Sequence, residues 1–211
     1  AKGDLARRRL LDAALGVFGD VGFRAATTRA IAEAAGVQLP AIRYYFEHKE
    51  GLYLACAEAI TEAYQRHMGP AAGRALAALA GRPSPAEARS ALEALMDALL
   101  DLVAGHDDAH RWAAFIARQT SDPGPAYEAL YPRGWSPGVD STARLIAALR
   151  GAREPRPEDR VQTVLLIASV MAFQSGKSLS RRLMGWNAVG PAQRQLITEA
   201  LRRQIDRLGA G

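Results

Sequence analysis

The sequence predicts an all-α protein in which a small N-terminal unit of three helices precedes a larger helical domain. Alanine, leucine and arginine dominate, β-branched residues are sparse, and long stretches lack Gly and Pro. This composition favours helices because unbranched side chains lose little rotamer freedom in them. Apolar residues also recur at intervals of three and four, the period of a helix with one buried face. The 211 residues suffice for two such units.

The first helix is predicted over residues 6–21. Leu11, Ala14 and Phe18 lie three or four positions apart and would form one apolar stripe on it. Gly19 and Gly22 end this helix because glycine readily leaves the helical backbone conformation. The apolar stripe can therefore support the two shorter helices that follow.

Two short helices are predicted next, over 28–35 and 39–46. The Thr27 hydroxyl can accept a hydrogen bond from a free amide at the start of the first one. Gly36 supplies the left-handed residue that closes this helix and allows a sharp turn. Pro40 suits the first turn of the second helix, where a backbone amide lacks an intrahelical partner in any case. The pair would form a tight helix-turn-helix.

The rest of the chain is predicted to form the larger helical domain, so we place the two domains at 1–48 and 49–211. The fourth helix is predicted over 49–67 and ends at the turn Gly69-Pro70. Loops rich in Gly and Pro are predicted at 121–138 and 151–157. The further helices are predicted over 86–104, 108–120, 139–150, 157–184 and 191–208.

Composition excludes several classes of protein. Cys56 is the single cysteine, so one chain has neither a disulfide framework nor a cysteine-rich metal site, and its apolar neighbours predict a buried thiol. No apolar run reaches the ~20 residues of a membrane span. No apolar signal segment follows Ala1, so we expect a cytoplasmic protein without a membrane partner. The formal net charge of +5 weakly favours a polyanionic partner.

A helix-turn-helix supported by a preceding amphipathic helix is the DNA-reading unit of many repressors. It needs small residues where its two helices meet, and polar or aromatic side chains on the outer face of the second. Ala35 and Gly36 meet the first requirement. Arg43, Tyr44 and Tyr45 meet the second. These residues predict that the N-terminal domain binds DNA.

The segment from Leu10 to Leu54 resembles the N-terminal domain of TetR-family transcriptional regulators. The residues that carry the resemblance are Ala13-Ala14, Phe18, Gly22-Phe23, Thr27-Thr28-Arg29, Ile31-Ala32, Ala35-Gly36-Val37, Ile42, Tyr44-Tyr45-Phe46, Lys49-Glu50 and Leu52. Further on, 117–123 and 181–186 are similar to segments of CecR-type members. The resemblance implies a homodimer that binds a palindromic double-stranded DNA operator, represses transcription and is released by a small-molecule effector.

The resemblance also implies which residues contact DNA. Thr27 and Lys49 would contact phosphates, and Arg29 would reach a phosphate or a guanine edge. Residues 38–41 would face base edges, with Gln38 at a position where the family commonly has a capping serine. The implied DNA-binding residues are Thr27, Thr28, Arg29, Gln38, Leu39, Pro40, Ala41, Arg43, Tyr44, Tyr45 and Lys49.

The second half of the chain is predicted to bind the effector. A cavity for a small molecule needs apolar bulk together with a few polar groups, and side chains of both kinds occur throughout this half. The candidate ligand-binding residues are Trp112, Phe115, Ile116, Gln119, Tyr127, Tyr131, Trp135, Met171, Phe173 and Gln174.

The predicted helix over 157–184 contains a segment, 164–171, that is apolar on every side. Such a segment is buried from two sides, which predicts a partner surface. Together with the final helix, it matches the position where the resemblance implies a two-fold, four-helix interface between subunits.

Two alternative functions remain open. His106 and His110, with two aspartates between them, resemble a ligand cluster of a helical metal-dependent phosphohydrolase. No remote histidine or acidic motif completes that site, so we expect no metal, no cofactor and no enzymatic activity. The other alternative is a nonspecific DNA-binding protein, which would depend on electrostatics alone. The concentration of the helix-turn-helix signature in one short segment argues against it.

Overall fold

A computed structural model describes residues 2–105, 109–121, 124–174 and 179–209. These residues form α-helices and one π-helical segment, Tyr131–Trp135, and the predicted all-α fold is confirmed. Within these ranges, no helix combines the length and apolar character that a membrane span requires. The helices are α1 (Lys2–Ala25), α2 (Thr28–Ala35), α3 (Pro40–Phe46), α4 (Lys49–Ala80), α5 (Pro85–Gly105), α6 (Ala109–Ser121), α7 (Pro125–Leu130), α8 (Ser136–Leu149), α9 (Pro157–Met171), α10 (Leu179–Leu183) and α11 (Pro191–Gly209).

Residue contacts divide the chain into two compact units. Unit one comprises residues 1–63 and 110–133, and unit two comprises 64–109 and 134–211. This division describes which residues pack together. The functional boundary at residue 48 concerns which residues read DNA, and it stays a prediction.

Helix α2 begins and ends at the predicted residues, whereas α1 starts at Lys2, before the predicted residue 6, and continues past Gly19. The backbone of α1 leaves the helical conformation at Gly22 (φ 80°, ψ 169°). The Thr27 hydroxyl accepts a hydrogen bond from the Ala30 amide at 3.1 Å and so caps α2. Gly36 ends α2 with left-handed angles (φ 61°, ψ 40°), which a residue with a Cβ adopts at a cost.

The core of unit one lies where α1, α2, α3 and the start of α4 meet. Phe18 is fully buried, and its ring lies edge-on to the Tyr53 ring with 5.0 Å between centroids. Cys56 is also fully buried, and burial, with a smaller contribution from the Asp12 carboxylate, raises the pKa of its thiol. The predicted buried thiol is therefore confirmed.

Unit two is built around α8, whose residues 141–143 and 145–149 are buried against α5 and α9. Helices α5 and α11 run antiparallel and carry paired polar side chains along their contact. The paired residues are spaced four apart on each helix, and their order along α11 is the reverse of their order along α5. The pairs are Arg89 with Asp206, Glu93 with Arg202, Asp97 with Thr198, and Asp101 with Arg194.

A buried ion pair joins the end of α8 to the start of α9. Arg150 donates two hydrogen bonds to the Asp159 carboxylate, at 2.5 and 2.8 Å, and the Arg156 amide donates a third at 2.8 Å. Asp159 is 1% exposed. The hydrogen bonds from Arg150 lower the pKa of this carboxyl group, and burial opposes them. The pair fixes the short connection between the two helices.

The predicted turn at Gly69-Pro70 is wrong, because α4 continues through Pro70 to Ala80. A proline inside a helix costs about 3 kcal/mol. Met68, Ala71 and Ala75 are buried on one face of this helix. Their packing continues the helix across a residue that local sequence marks as a stop.

Two further expectations are wrong in the C-terminal half. The helix predicted over 157–184 ends at Met171, and a separate short helix, α10, follows at Leu179–Leu183. The loop predicted over 121–138 contains α7 and the π-helical segment, because Pro125 stands in the first turn of α7, where its fixed φ favours a helix.

Candidate nucleic-acid interface

Helix α3 divides its side chains between the core of unit one and the solvent. Ile42 and Phe46, one turn apart, are 2% and 6% exposed. Arg43 and Tyr44 lie on the outer side, where Tyr44 is 81% exposed. Leu39 is 48% exposed at the start of the helix. This outer face offers a guanidinium, a phenol and an apolar group, which suit the base edges and methyl groups of a DNA groove.

The start of α3 is held by backbone hydrogen bonds. Among the residues described there, none caps the helix with its side chain. The Gln38 and Leu39 carbonyls accept hydrogen bonds from the Ala41 and Ile42 amides at 2.9 and 3.1 Å, the spacing of a 3₁₀ turn. Gln38 and Pro40 are exposed and Ala41 is half-buried. The exposed Gln38 amide is accessible to a base edge.

The end of α3 turns into α4 through a strained backbone. Glu47 has φ 64° and ψ −53°, and the His48 amide donates to the Phe46 carbonyl at 2.7 Å. This is a γ-turn with a left-handed central residue, a rare and strained conformation. The Gly51 amide donates to His48 Nδ1 at 2.9 Å, which caps α4. Sequence reasoning missed this junction, although a glycine in the first turn of a helix was a visible signal.

The start of α2 carries three of the implied DNA-binding residues. The Thr27 cap occupies one free amide, and the amides of Thr28 and Arg29 lie in the first turn, where a helix offers no acceptor for them. Arg29 is exposed and pairs with Glu33 at 3.0 Å. An exposed pair of this kind is worth less than about 1 kcal/mol. Contact with a phosphate can therefore displace Glu33 at little cost.

Lys49 has a structural role that the family resemblance does not imply. It is half-buried, and its Nζ donates to the carbonyls of Phe23 and Ala26 at 2.9 and 3.0 Å. The ammonium also lies 4.5 Å from the centroid of the Phe23 ring. These contacts attach the start of α4 to the end of α1 and to the residue that follows it. A phosphate contact by Lys49 stays a prediction.

The first turns of α1 bring further positive charge to this surface. The Arg7 guanidinium lies 5.4 Å from the centroid of the Phe46 ring at the end of α3. The Arg9 guanidinium lies against Gly36, so closely that a Cβ there would meet its Nη2 at 2.5 Å. Arg9 therefore lies beside the turn that precedes α3, and Arg7 lies beside the end of α3, the helix predicted to contact DNA.

The predicted ligand-binding residues fall into two groups, one in each unit. Unit one contains six, of which Phe115 is fully buried against Tyr53 and belongs to the core. The six are Trp112, Phe115, Ile116, Gln119, Tyr127 and Tyr131. Unit two contains Trp135 in the π-helical segment, Met171 at the end of α9, and Phe173 and Gln174 directly after it.

Each unit contains a cavity, and each cavity includes one of these candidates. The cavity of unit one, about 750 Å³, is lined by Gln119 together with residues of α1 and α6; we call it the α1–α6 cavity. The cavity of unit two, about 290 Å³, is lined by Phe173, Trp186 and residues of α11. The rings of Phe173 and Trp186 are stacked at 6.0 Å.

The proposed metal-ligand cluster is outside the described residues. His106 and the two aspartates that follow it lie in the gap 106–108, and the side chain of His110 is outside them as well. In the part of the chain that the structure describes, His, Cys, Asp and Glu side chains form no group of three or more able to hold a metal ion.

Family models match most of the chain. Residues 10–56 match bacterial regulatory proteins of the tetR family, and residues 88–211 match the C-terminal domain of the HTH-type transcriptional dual regulator CecR. The chain is 34% identical over 207 residues to the HTH-type transcriptional dual regulator CecR of Shigella flexneri, across 97% of this chain and 92% of that protein. It is 39% identical over 66 residues to the class C tetracycline repressor protein of Escherichia coli, across 31% and 30% of the two chains.

Solved structures show the same fold at lower identity. AibR in complex with isovaleryl coenzyme A and operator DNA is 16% identical with a TM-score of 0.62, across 93% of this chain and 96% of AibR. A TetR-like transcriptional regulator from Rhodococcus sp. RHA1 is 20% identical with a TM-score of 0.58, across 98% and 96%.

Proposed function

The chain belongs to the TetR family of bacterial transcriptional regulators, with a C-terminal domain of the CecR type, and we propose that it represses transcription as a homodimer on a palindromic operator until a small molecule releases it. The family resemblance seen in the sequence is confirmed. The curated relatives are an HTH-type transcriptional dual regulator and a tetracycline repressor.

The observation that carries the operator proposal is the outer face of α3. Its exposed Arg43 and Tyr44 are held by a buried Ile42 and Phe46, so the helix presents them on a fixed support. In a helix-turn-helix protein, this face enters the major groove and its first residues contact base edges. We therefore assign DNA reading to residues 1–48.

An apolar stripe on unit two supports the homodimer. Val161, Val164 and Leu165 on α9 are 57%, 63% and 50% exposed, and the last two lie on one face with Val161, three and four positions after it. Leu196 on α11 is 56% exposed. A two-fold axis at such a surface would bury the same residues of both subunits and place two α3 helices on successive turns of DNA.

The effector proposal is supported by family membership and by the cavities. AibR was solved with both isovaleryl coenzyme A and operator DNA. In this chain, a small molecule would favour one conformer of the dimer over another. It could shift operator occupancy only by the ratio of its affinities for the two conformers.

Selection of random duplex DNA on the purified protein, at fixed salt, tests the operator proposal. We expect an inverted-repeat consensus. Arg43→Ala or Tyr44→Ala should weaken binding to it by roughly tenfold to a hundredfold, because a lost base or backbone contact costs about 1–3 kcal/mol.

Arg153→Ala and Arg82→Ala are controls, since both side chains are exposed and lie outside α3. Binding that follows salt concentration and shows no consensus would instead support a nonspecific DNA-binding protein. Equal losses in the controls and in the α3 variants would also contradict the assignment.

A further inference from the structure

The α1–α6 cavity lies wholly within unit one. It is walled by the end of α1, by Tyr53 of α4, by residues of α6 from Ala114 to Gln119, and by Gly124 and Pro125 at the start of α7. Its volume of about 750 Å³ is in the range of sites for small organic ligands. Among the predicted ligand-binding residues, it includes Gln119.

The walls of this cavity are fixed by close contact between α1 and α6. A Cβ at Gly19 would lie 3.0 Å from the Ala114 Cβ and 3.2 Å from the Phe115 amide nitrogen, so the two backbones approach as closely as a glycine allows. Arg118 donates through Nε to the Gly19 carbonyl at 3.1 Å and through Nη2 to the Asp20 carbonyl at 2.5 Å. A cation at the end of a helix also interacts favourably with the helix dipole. The cavity is therefore formed before any ligand arrives.

The floor of the cavity combines aromatic rings with a buried polar pair. The Tyr53 hydroxyl donates to Gln119 Oε1 at 2.6 Å, and these side chains are 5% and 2% exposed. The Phe23 ring lies 4.7 Å from the Tyr53 ring. Because the Tyr53–Gln119 pair satisfies its own polar atoms there, the floor offers mainly flat apolar surface to a ligand.

The charged side chains that line the cavity are positive and favour a negatively charged ligand. Among the described residues that line the cavity, the charged side chains are Arg24 and Arg118. Arginine has five N–H donors, and the two carbonyls of α1 use two donors of Arg118. The remaining part of its planar fork can bind a carboxylate in two-point fashion.

We propose that the α1–α6 cavity binds a small aromatic or apolar organic acid. Its ring lies against Phe23 and Val21, and its carboxylate binds Arg118, with Arg24 adding a second positive charge. The regulatory consequence rests on the proposed function, whereas binding itself does not. A carboxylate on the remaining donors of Arg118 attracts the guanidinium away from the Gly19 and Asp20 carbonyls, and so occupancy changes how firmly α6 holds α1, the helix that supports the DNA reader.

Titration calorimetry of the full-length protein without DNA tests the site, with naphthalene-2-acetate as the probe and its neutral amide as the matched ligand. We expect the acid to bind with a dissociation constant of about 100 µM or lower, and the amide to bind at least about tenfold more weakly. Equal affinity for the two compounds, or no saturable binding of the acid, would overturn the proposal.

Two pairs of variants locate the binding. Ala117→Phe places a ring in the cavity, and Ala113→Phe places the same ring one turn earlier on α6, outside the lining. Arg24→Gln removes a lining charge, and Arg8→Gln removes an exposed charge of the same helix. We expect Ala117→Phe to abolish binding, Arg24→Gln to weaken it at least threefold, and both controls to bind as the unsubstituted protein does. Loss of binding in the controls, or its retention in Ala117→Phe, would place the ligand elsewhere.

The two proposals fail separately. Operator selection uses no ligand, and the calorimetry uses no DNA. If the acid binds but does not change the affinity for the selected operator, the binding site is supported and its regulatory consequence is rejected. If the protein binds the operator but not the acid, the operator proposal is supported and the acid-binding site is rejected.

Discussion

Lys49 shows why a residue's role can depend on partners that sequence spacing does not reveal. The resemblance correctly places a lysine at the start of α4, and it implies a phosphate contact. In the structure, the ammonium donates to the carbonyl of Phe23, in the last turn of α1, and to that of Ala26, in the link to α2. These carbonyls become acceptors for Lys49 only once the fold has brought them together, and no pattern in the sequence marks them. The caps Thr27 and Gly36 are different, because each acts on its own helix and was predictable.

Gly51 gives a sharp test of the junction between α3 and α4. A Cβ on Gly51 would overlap the Phe46 carbonyl oxygen, which is backbone and cannot move away freely. We expect Gly51→Ala to destabilise the protein by about 2 kcal/mol or more, as overpacking does, despite the better helix propensity of alanine. Urea denaturation measures the difference.

Gly16→Ala is the matched control, because Gly16 lies within α1 and a Cβ there would meet nothing within 4 Å. This substitution should stabilise the protein by roughly 0.5–1 kcal/mol through helix propensity. The same sign for both variants would contradict the close approach at Gly51.

The helices differ in how well local sequence predicts their ends. Helix α2 has the predicted bounds, because Thr27 and Gly36 act on groups within two turns. Helix α4 passes Pro70 because burial of its face outweighs the lost hydrogen bond, and burial is set by distant residues. For α9, the apolar run to Met171 was read as part of a longer helix, although the Ser175-Gly176 pair that follows is a local turn signal.

The ion pair between α8 and α9 predicts that replacing a single atom of Asp159 lowers the stability of the protein substantially. Asp159→Asn keeps the shape of the side chain but replaces an oxygen that accepts from Arg150 with an NH₂ group. Breaking a buried pair in this way costs about 3 kcal/mol. Glu158→Gln, one residue earlier and exposed, is the control and should change stability by less than about 0.5 kcal/mol. Similar losses of stability in the two variants would show that the buried ion pair does not stabilise the protein.

The same pair predicts how stability depends on pH. Because the pKa of Asp159 is lowered in the folded state, its contribution is complete above the ordinary carboxyl value of about 4 and is lost as the pH falls through the lowered value. Asp159→Asn removes this contribution, so the difference in unfolding free energy between it and the unsubstituted protein should shrink on acidification. Denaturation at several pH values below neutrality measures this difference. If the difference stays constant over that range, the ionisation of Asp159 does not contribute to the pH dependence of stability.

The general arrangement was predictable because it follows from composition and from one motif. Helix content, the helix-turn-helix and the family were all visible in the sequence, and each is confirmed. The effector site was less accessible. Aromatic residues such as Phe115 occur both in cores and in ligand sites, and only the packing of α6 on α1 shows that Phe115 is core while Gln119 faces a cavity.

The exposed stripe on α9 leads to a prediction about assembly. Val164→Arg would place two arginines, one from each subunit, close to a two-fold axis in an otherwise apolar surface. We expect this variant to be monomeric by light scattering and to lose its preference for an inverted repeat over a single half-site, because one reader contacts only one half-site. Leu76→Arg is the control, since Leu76 is 55% exposed on α4 and lies outside the stripe. It should dimerise and bind the repeat normally. If the Val164→Arg protein stays dimeric, the interface lies on another face of unit two. If it is monomeric and still prefers the inverted repeat, that preference does not depend on dimerisation.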